Sequence, residues 1–450
     1  MQKIDLDKFD AYSPVLNFTS FRTLLAVHIN EPVKLYQLDI TAAYLTSNVR
    51  RDTYIKMPQG REIEGKEHLV YKLHKALYGG ADSGRCFYDS FSQFHKDLGF
   101  QGIHQDNCYY QFYKNNEYLK LLFHVDDAVI ISKGTNLFNW YIDKVKAKYE
   151  YKLGPLTHFL GVKIEHIQHP EKTTIILSQQ AQVNKMLKAL KMDDSKGAVA
   201  PVLAGQQPSL AQISRKEDQI DYPYREAVGH LQYLHGATHP EIAYPLKIAS
   251  KFTISHGAPH VQWLKHILKF MKSNKHNKLI YQSTFDQANK SDQPTTGVSL
   301  ELFSDASHAG DPDTRRSITA FLAKYNGNTI DYKCQFQKIV SHSSTESEIM
   351  AADYAARRSQ FLKWLIEGMG GKVITPIPIY IDNAATINIS KNPIQPGRNA
   401  HMHARFFYLK DLVENKQIIL KKISTNEQLD RKSTRLNSSH SSVSRMPSSA

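Results

Sequence analysis

Two adjacent carboxylates stand between two strand-like apolar runs, and this arrangement constrains the fold of the chain more than any other feature. The motif is His124-Val125-Asp126-Asp127. The flanking runs, 118–123 and 128–132, are rich in Leu, Val, Ile and aromatic residues, which predicts a β-hairpin with both carboxylates at its bend. Because adjacent aspartates repel each other, such a bend favours a divalent cation, of which Mg²⁺ is the obvious candidate. A polar hairpin turn without a metal is the alternative.

A third carboxylate upstream extends the pattern. Asp39 ends the apolar run 34–38, and the aromatic Tyr44 follows five residues later. Two further segments lie between Tyr44 and the hairpin, Leu73-His74-Lys75-Ala76-Leu77-Tyr78-Gly79 and Arg85-Cys86-Phe87-Tyr88. Taken in this order, the motifs resemble the palm of reverse transcriptases, and most closely that of the copia-type retrotransposon Pol polyproteins.

The resemblance implies a polymerase site. Asp39, Asp126 and Asp127 would hold two Mg²⁺ ions, with Mn²⁺ as an alternative, while a primer 3′-hydroxyl attacks the α-phosphate of a deoxynucleotide. Tyr44 would stack under the sugar and exclude a 2′-hydroxyl. Arg85, together with Gly161 in the segment that resembles the family's primer-cradling element, would also contact the substrate.

A second set of carboxylates follows in the C-terminal third of the chain. Asp305 and Asp382 each end a short apolar run, and Glu348 lies near the start of a helix that the capping pattern Ser343-Ser344-Thr345-Glu346 predicts. This order resembles the copia-type RNase H domain, which would hydrolyse the RNA strand of an RNA–DNA hybrid with two divalent ions. Glu346 and Glu348 are both candidates; the "Glu, large, large, Ala" pattern favours Glu348.

The predicted fold class is α/β, with a reverse-transcriptase palm and thumb, fingers largely missing, and an RNase H-like mixed sheet. Helices are predicted over 144–153, 224–237 and 260–272; the last has a basic face and is interpreted as a thumb-like helix along a duplex. The predicted divisions are a palm over 1–180, thumb and connection helices over 181–290, an RNase H-like domain over 297–429 and a disordered, non-native tail over 430–450.

Several positions depart from the family pattern. The sequence is expected to begin after the Lys/Arg stretch that grips the incoming triphosphate. Gly80-Ala81-Asp82-Ser83 replaces the usual Leu-Lys-Gln, so that Asp82 adds a negative charge. His124 replaces a tyrosine, and His403 stands in place of the fourth RNase H acid. Without soft ligands nearby, a zinc site at His401-Met402-His403 is not expected.

The net charge indicates the class of binding partner, and the cysteine content indicates the redox state of the compartment. The net charge is +14, from 57 Lys and Arg against 43 Asp and Glu, which favours nucleic acid. The resemblance implies an RNA template, a DNA primer, an RNA–DNA hybrid and dNTP as partners, with other Pol and Gag products as further candidates. No apolar run is long enough for a membrane span, and three scattered cysteines predict a reducing, intracellular setting. The family implies the cytoplasm, in a virus-like particle, with the nucleus as an alternative.

Two other functional classes stay open because of the departures. One is an inactive retrotransposon relic that folds but cannot polymerise. The other is a non-catalytic nucleic-acid-binding protein that keeps a basic groove and has lost its metals.

Overall fold

The chain folds into two compact units. The first comprises Met1–Phe21 and Glu31–Leu160, and the second comprises Arg22–Asn30 and Gly161–Ala450. The computed structural model describes residues 11–424 except 62, 67, 171, 204–206, 213–219, 284–298 and 392–399, so the tail 430–450 lies outside the described residues. Within the described part, no helix combines the length and the apolar character that a membrane crossing needs.

A six-stranded antiparallel sheet forms the centre of the first unit. The strands of the unit are β1 (Lys34–Ile40), β2 (Asn48–Lys56), β3 (Val70–Lys75), β4 (Gln101–Ile103), β5 (Asp106–Lys114), β6 (Glu117–His124), β7 (Asp127–Lys133), β8 (Tyr151–Pro155) and β9 (His158–Phe159). The sheet order is β4-β5-β6-β7-β1-β8, and β2 pairs with β3. Strands β6 and β7 are buried almost throughout, as their continuous apolar runs predict.

An aromatic cluster packs helices onto this sheet. The helices are α1 (Phe18–His28), which continues into the second unit, α2 (Ser83–Asp97) and α3 (Asn136–Lys146). Phe91 of α2 lies 5.1 Å from Phe123 of β6 between ring centroids, in an edge-to-face arrangement. At the centre of the cluster, His95 is fully buried and hydrogen-bonds the Phe91 carbonyl and the Tyr141 hydroxyl, at 2.8 and 2.9 Å.

The predicted helix over 144–153 is wrong. Helix α3 ends at Lys146, and Tyr151–Pro155 is strand β8, whose Leu153 lies opposite Leu38 of β1. The local pattern of basic and apolar residues fits a helix, but pairing with β1 gives this segment a ladder of backbone hydrogen bonds. Tertiary context therefore overrides local propensity.

Helices dominate the first half of the second unit. Strands β10 (Val162–Gln168), β11 (Thr173–Ser178) and β12 (Lys278–Gln282) pair antiparallel. The helices are α4 (Gln180–Ala189), α5 (Tyr224–Ala237), α6 (Ala243–Ala249) and α7 (Ala258–Ser273). Their apolar faces share one core that contains the fully buried Trp263, whose indole N–H donates to the Pro245 carbonyl at 2.9 Å.

The basic face of α7 contacts the chain itself. Lys272 donates to the Ser195 carbonyl at 2.6 Å, and His266 hydrogen-bonds the Ala200 carbonyl at 2.9 Å. The interpretation of α7 as a thumb-like helix remains a prediction, but these two basic side chains are engaged by the connecting segment.

A mixed five-stranded sheet forms the second half of this unit. Its strands are β13 (Leu300–Ser307), β14 (Ile318–Tyr325), β15 (Asn328–Phe336), β16 (Ile377–Ile381) and β17 (Ile418–Lys422), in the order β15-β14-β13-β16-β17. Pairing is antiparallel from β13 to β15 and parallel from β13 to β17. The helices are α8 (Ser344–Gly368), α9 (Ala384–Lys391) and α10 (Ala400–Glu414), and α8 packs on β13, β14 and β16. The predicted α/β class with a mixed sheet in the C-terminal part is confirmed.

Acid should weaken the first unit through His95. Burial lowers the pKa of His95 to about 4, below the usual 6.5, so its neutral form stabilises the fold above pH 6.5. That stability is lost as pH falls towards 4, by up to about 3 kcal/mol. We expect His95→Phe to flatten this dependence, and Tyr141→Phe to retain it because the imidazole remains.

The measurement is urea unfolding between pH 4 and 7.5, followed by the fluorescence of Trp140, which adjoins Tyr141 in α3. Trp263 and Trp364 are replaced by Phe so that the signal reports the first unit alone. An equally steep pH dependence in His95→Phe would show that another group carries the effect.

Candidate active sites

The first candidate site is the bend between β6 and β7. His124 and Asp127 form the last pair of the hairpin, and Val125-Asp126 is the turn. Val125 has φ +56°, a left-handed conformation that β-branched residues rarely adopt. The backbone N–H of Ile40 donates to the Asp126 carbonyl at 2.9 Å, which fixes the turn against β1. The two carboxylates are therefore presented at a strained and well-anchored position.

Asp39 joins them through strand pairing. Asp39 of β1 lies directly opposite Asp127 of β7, and opposite residues of an antiparallel pair project from the same face. Burial, together with the charges of Asp39 and Asp126, raises the pKa of Asp127 to about 6, although hydrogen bonds from the Gln37 amide and the Leu160 N–H oppose the rise. The site thus concentrates negative charge that a bound cation would compensate.

Gln37 was missed by the sequence analysis. Its amide nitrogen donates to Asp127 Oδ1 at 3.0 Å. Gln37 precedes Asp39 by two residues on β1, so the two side chains share a face. Strand alternation alone could have identified Gln37 as a neighbour of the carboxylates, although the choice of Asp127 as its partner depends on the register between β1 and β7.

Tyr44 is the residue predicted to contact the sugar. It belongs to a short 3₁₀ helix, Ala43–Thr46, and its ring centroid lies 4.6 Å from that of Tyr78. Burial raises the pKa of Tyr44, and the charge of Asp126 raises it further, which places its hydroxyl in the field of that carboxylate. The predicted sugar-contacting residue and one predicted metal ligand therefore interact electrostatically.

Arg85 and Asp82 are both held in ion pairs. Arg85 Nε donates to Asp89 Oδ1 at 2.8 Å, and its Nη1 donates to the Tyr12 carbonyl at 3.3 Å. The buried Asp82 accepts from Arg51 at 3.3 Å. The negative charge that departs from the family pattern is thus balanced by a cation on β2.

Gly161 stands at a turn that tolerates no side chain. Its φ is +69°, and a Cβ atom built on it would lie 2.2 Å from the Tyr233 hydroxyl oxygen. Both the backbone conformation and the space available require glycine here.

The second candidate site joins two parallel strands and a helix. Leu302 pairs with Ile379, and Phe303 pairs with Tyr380. Asp305 and Asp382 each lie two residues beyond the Phe303–Tyr380 pair, so strand geometry brings their side chains to neighbouring positions. Helix α8 packs across these strands and brings Glu348 from its N-terminal end.

The three carboxylates converge. One oxygen from each of Asp305, Glu348 and Asp382 lies within 4.8 Å of the others. Among the described residues, this group of His, Cys, Asp or Glu side chains is the one close enough together to hold a metal ion. Asp305 and Glu348 are buried, and Asp382 is half-buried. A set made only of carboxylate oxygens fits hard divalent cations such as Mg²⁺ or Mn²⁺.

The neighbouring acids serve other contacts. Glu346 caps helix α8: its N–H donates to Ser343 Oγ at 3.1 Å, and its carboxylate accepts from the His342 N–H at 2.6 Å. Asp311 pairs with Lys251, which also contacts Asp313 at 2.7 Å. The side chain of His403 lies outside the described residues, so its predicted place in the site has no structural account.

Comparison with known proteins confirms the predicted resemblance. Residues 1–204 match the family described as "Reverse transcriptase (RNA-dependent DNA polymerase)". The retrovirus-related Pol polyprotein from transposon TNT 1-94 of Nicotiana tabacum is 30% identical over 95% of this chain and 31% of its own length. The corresponding polyprotein from transposon RE1 of Arabidopsis thaliana is 26% identical over 95% and 28%. The transposon TyH3 Gag-Pol polyprotein of Saccharomyces cerevisiae is 26% identical over 94% and 24%. The chain thus spans about a third or less of the length of these relatives.

Proposed function

We propose that this chain is a member of the copia-type retrotransposon Pol polyproteins and acts as an RNA-directed DNA polymerase with ribonuclease H activity. The polymerase site would comprise Asp39, Asp126 and Asp127, and the nuclease site would comprise Asp305, Glu348 and Asp382. The observation that carries the proposal is the convergence of Asp305, Glu348 and Asp382 within 4.8 Å in the order the family resemblance predicts.

The nuclease set fits Mg²⁺, with Mn²⁺ as an alternative, and we propose the same ions for the polymerase set. The nuclease set offers three hard oxygen donors in a largely buried position. The polymerase set places Asp39 opposite Asp127, where two like charges destabilise the strand pair unless a cation lies between them. When bound, a pair of divalent ions would activate the attacking oxygen and stabilise the leaving oxygen.

In the polymerase site, the protein supplies rigidity. Asp39 and Asp127 stand on adjacent strands, and Asp126 is fixed by the hydrogen bond between its carbonyl and Ile40. Preorganised groups of this kind lose little energy to rearrangement during phosphoryl transfer. Arg85 and Gly161 remain proposed substrate contacts, and the primer–template dissociation constant of Arg85→Ala would check the first of them.

In the nuclease site, burial differs between the ligands. Asp305 and Glu348 are held by a central strand and by the start of α8, whereas Asp382 lies at the strand end and is partly open to solvent. We propose that all three carboxylates bind the metal ions and that Asp382 is the ligand on the side facing the scissile phosphate of an RNA–DNA hybrid.

The partners follow from this chemistry. We propose an RNA template, a DNA primer, dNTP and an RNA–DNA hybrid as substrates, which the net charge of +14 supports. Other Pol and Gag products are proposed partners within a virus-like particle. We also propose the division into a palm over 1–180, thumb and connection helices over 181–290 and a nuclease domain over 297–429, which limited proteolysis would check through the fragments it releases.

Two substitutions should separate the activities. Asp126→Asn is expected to reduce primer extension at least about a hundredfold, because it removes a ligand charge, and to leave hybrid cleavage unchanged. Glu348→Gln is expected to do the reverse. Extension of a DNA primer on RNA and cleavage of a preformed hybrid, each with and without Mg²⁺, measure the two activities on the full chain.

Matched controls are the exposed Asp143→Asn in α3 and Glu367→Gln in α8, both of which should leave both activities intact. If Asp126→Asn leaves extension unchanged, the polymerase assignment is wrong. Hybrid binding without turnover in either assay would favour the non-catalytic binding protein, and the absence of binding and turnover would favour the relic.

Tyr44 should set the sugar preference of the polymerase. Its hydroxyl interacts electrostatically with Asp126, and we propose that its ring contacts the sugar of the incoming nucleotide. Tyr44→Ala is expected to raise the ratio of ribonucleotide to deoxynucleotide incorporation at least tenfold, whereas Tyr44→Phe should keep the original ratio because the ring remains. Single-nucleotide extension with each substrate measures this ratio, and an unchanged ratio in Tyr44→Ala would remove Tyr44 from the proposed site.

A further inference from the structure

We infer that Gln337 is a positioning residue of the nuclease site, holding the start of α8, and with it Glu348, against the sheet that carries Asp305. The inference rests on the proposed function and deepens it. None of the motifs that define the two carboxylate sets includes Gln337, which directly follows strand β15.

Gln337 bridges the sheet and the helix. The side chain is buried, and its amide nitrogen donates to Thr319 Oγ1 at 3.0 Å and to the Ser347 carbonyl at 2.9 Å. Its own backbone N–H donates to the Ser317 carbonyl at 2.8 Å, which fixes the base of the side chain to the start of β14. Because the Ser347 carbonyl can only accept, this contact also fixes which end of the amide faces the helix.

Both bridged groups adjoin the carboxylates. The Ser347 carbonyl and the Glu348 nitrogen belong to the same planar peptide group. Holding the carbonyl therefore fixes the orientation of the backbone that carries the Glu348 side chain. Thr319 lies opposite Ala306, the residue that follows Asp305 on β13. The amide therefore joins the strand that pairs beside Asp305 to the helix residue that precedes Glu348.

An amide suits this role because it is neutral. Asp305 and Glu348 are buried like charges and repel each other, which works to separate the helix start from the sheet. A lysine or arginine at position 337 would be drawn to the carboxylates and compete with the cation. A neutral double donor holds the two elements without entering the site, which is how groups behind metal ligands commonly act.

The test compares Gln337→Met, similar in length but without hydrogen-bonding groups, with Gln335→Met as a matched control. Gln335 lies on strand β15, two residues before Gln337 and opposite Thr319, and is half-buried. In the metal-free full chain, Gln337→Met should speed amide hydrogen exchange over residues 343–350 at least tenfold, as measured by mass spectrometry. Gln335→Met should leave exchange there unchanged.

A second readout is Mn²⁺ binding, followed by electron paramagnetic resonance in an Asp39→Asn/Asp127→Asn background that removes the first site. Asp305→Asn identifies the nuclease site as the Mn²⁺ binding that it abolishes. At that site, Mn²⁺ should bind about 10- to 100-fold more weakly in Gln337→Met. Thr319→Val, which removes only the sheet-side acceptor, should shift binding in the same direction by a smaller factor, and it decides the question if Gln337→Met does not fold.

The outcomes separate the two claims. Mn²⁺ binding that depends on Asp305 but is equal in Gln337→Met and Gln335→Met, with unchanged exchange, overturns the inference alone. If Gln337→Met is unfolded, the inference is overturned when Thr319→Val binds Mn²⁺ as tightly as the wild type does. If the wild type has no Asp305-dependent Mn²⁺ site, the proposed nuclease function fails and the inference fails with it.

Discussion

Strand pairing that holds carboxylates side by side against their mutual repulsion is the constraint on which the rest of the structure depends. In the first unit, antiparallel register sets Asp39 opposite Asp127. In the second unit, parallel register carries Asp305 and Asp382 to the same level beyond a shared pair. Backbone hydrogen bonds fix these positions without a ligand, so the repulsion between the carboxylates destabilises the folded protein. A bound cation removes that repulsion.

The two sites differ in the contacts that hold their carboxylates in place. Around Asp127, hydrogen bonds from Gln37 and Leu160 favour the ionised carboxylate, while burial and the neighbouring acids oppose ionisation. At the nuclease site, the third ligand comes from a helix rather than a strand, so its position depends on how α8 is anchored to the sheet. The contacts of Gln337 supply that anchor between Thr319 and Ser347.

The sequence predicts secondary structure correctly where the local residue pattern matches the burial that the segment has in the fold. The apolar runs around Asp126 and Asp127 are buried strands, and helix α5 occupies the predicted range Tyr224–Ala237. It failed at Tyr151–Pro155, where pairing with β1 overrides a helix-like pattern, and it missed strand β15 and helix α6. Gln337 could not have been found, because nothing local to it indicates that its partners lie on β14 and α8.

The most direct test of the central claim is anomalous diffraction from crystals of the full chain grown with MnCl₂. We predict manganese peaks between Asp39 and Asp127 and within the group of Asp305, Glu348 and Asp382. Carboxylates resolved at these positions with manganese bound only elsewhere on the protein would contradict the claim.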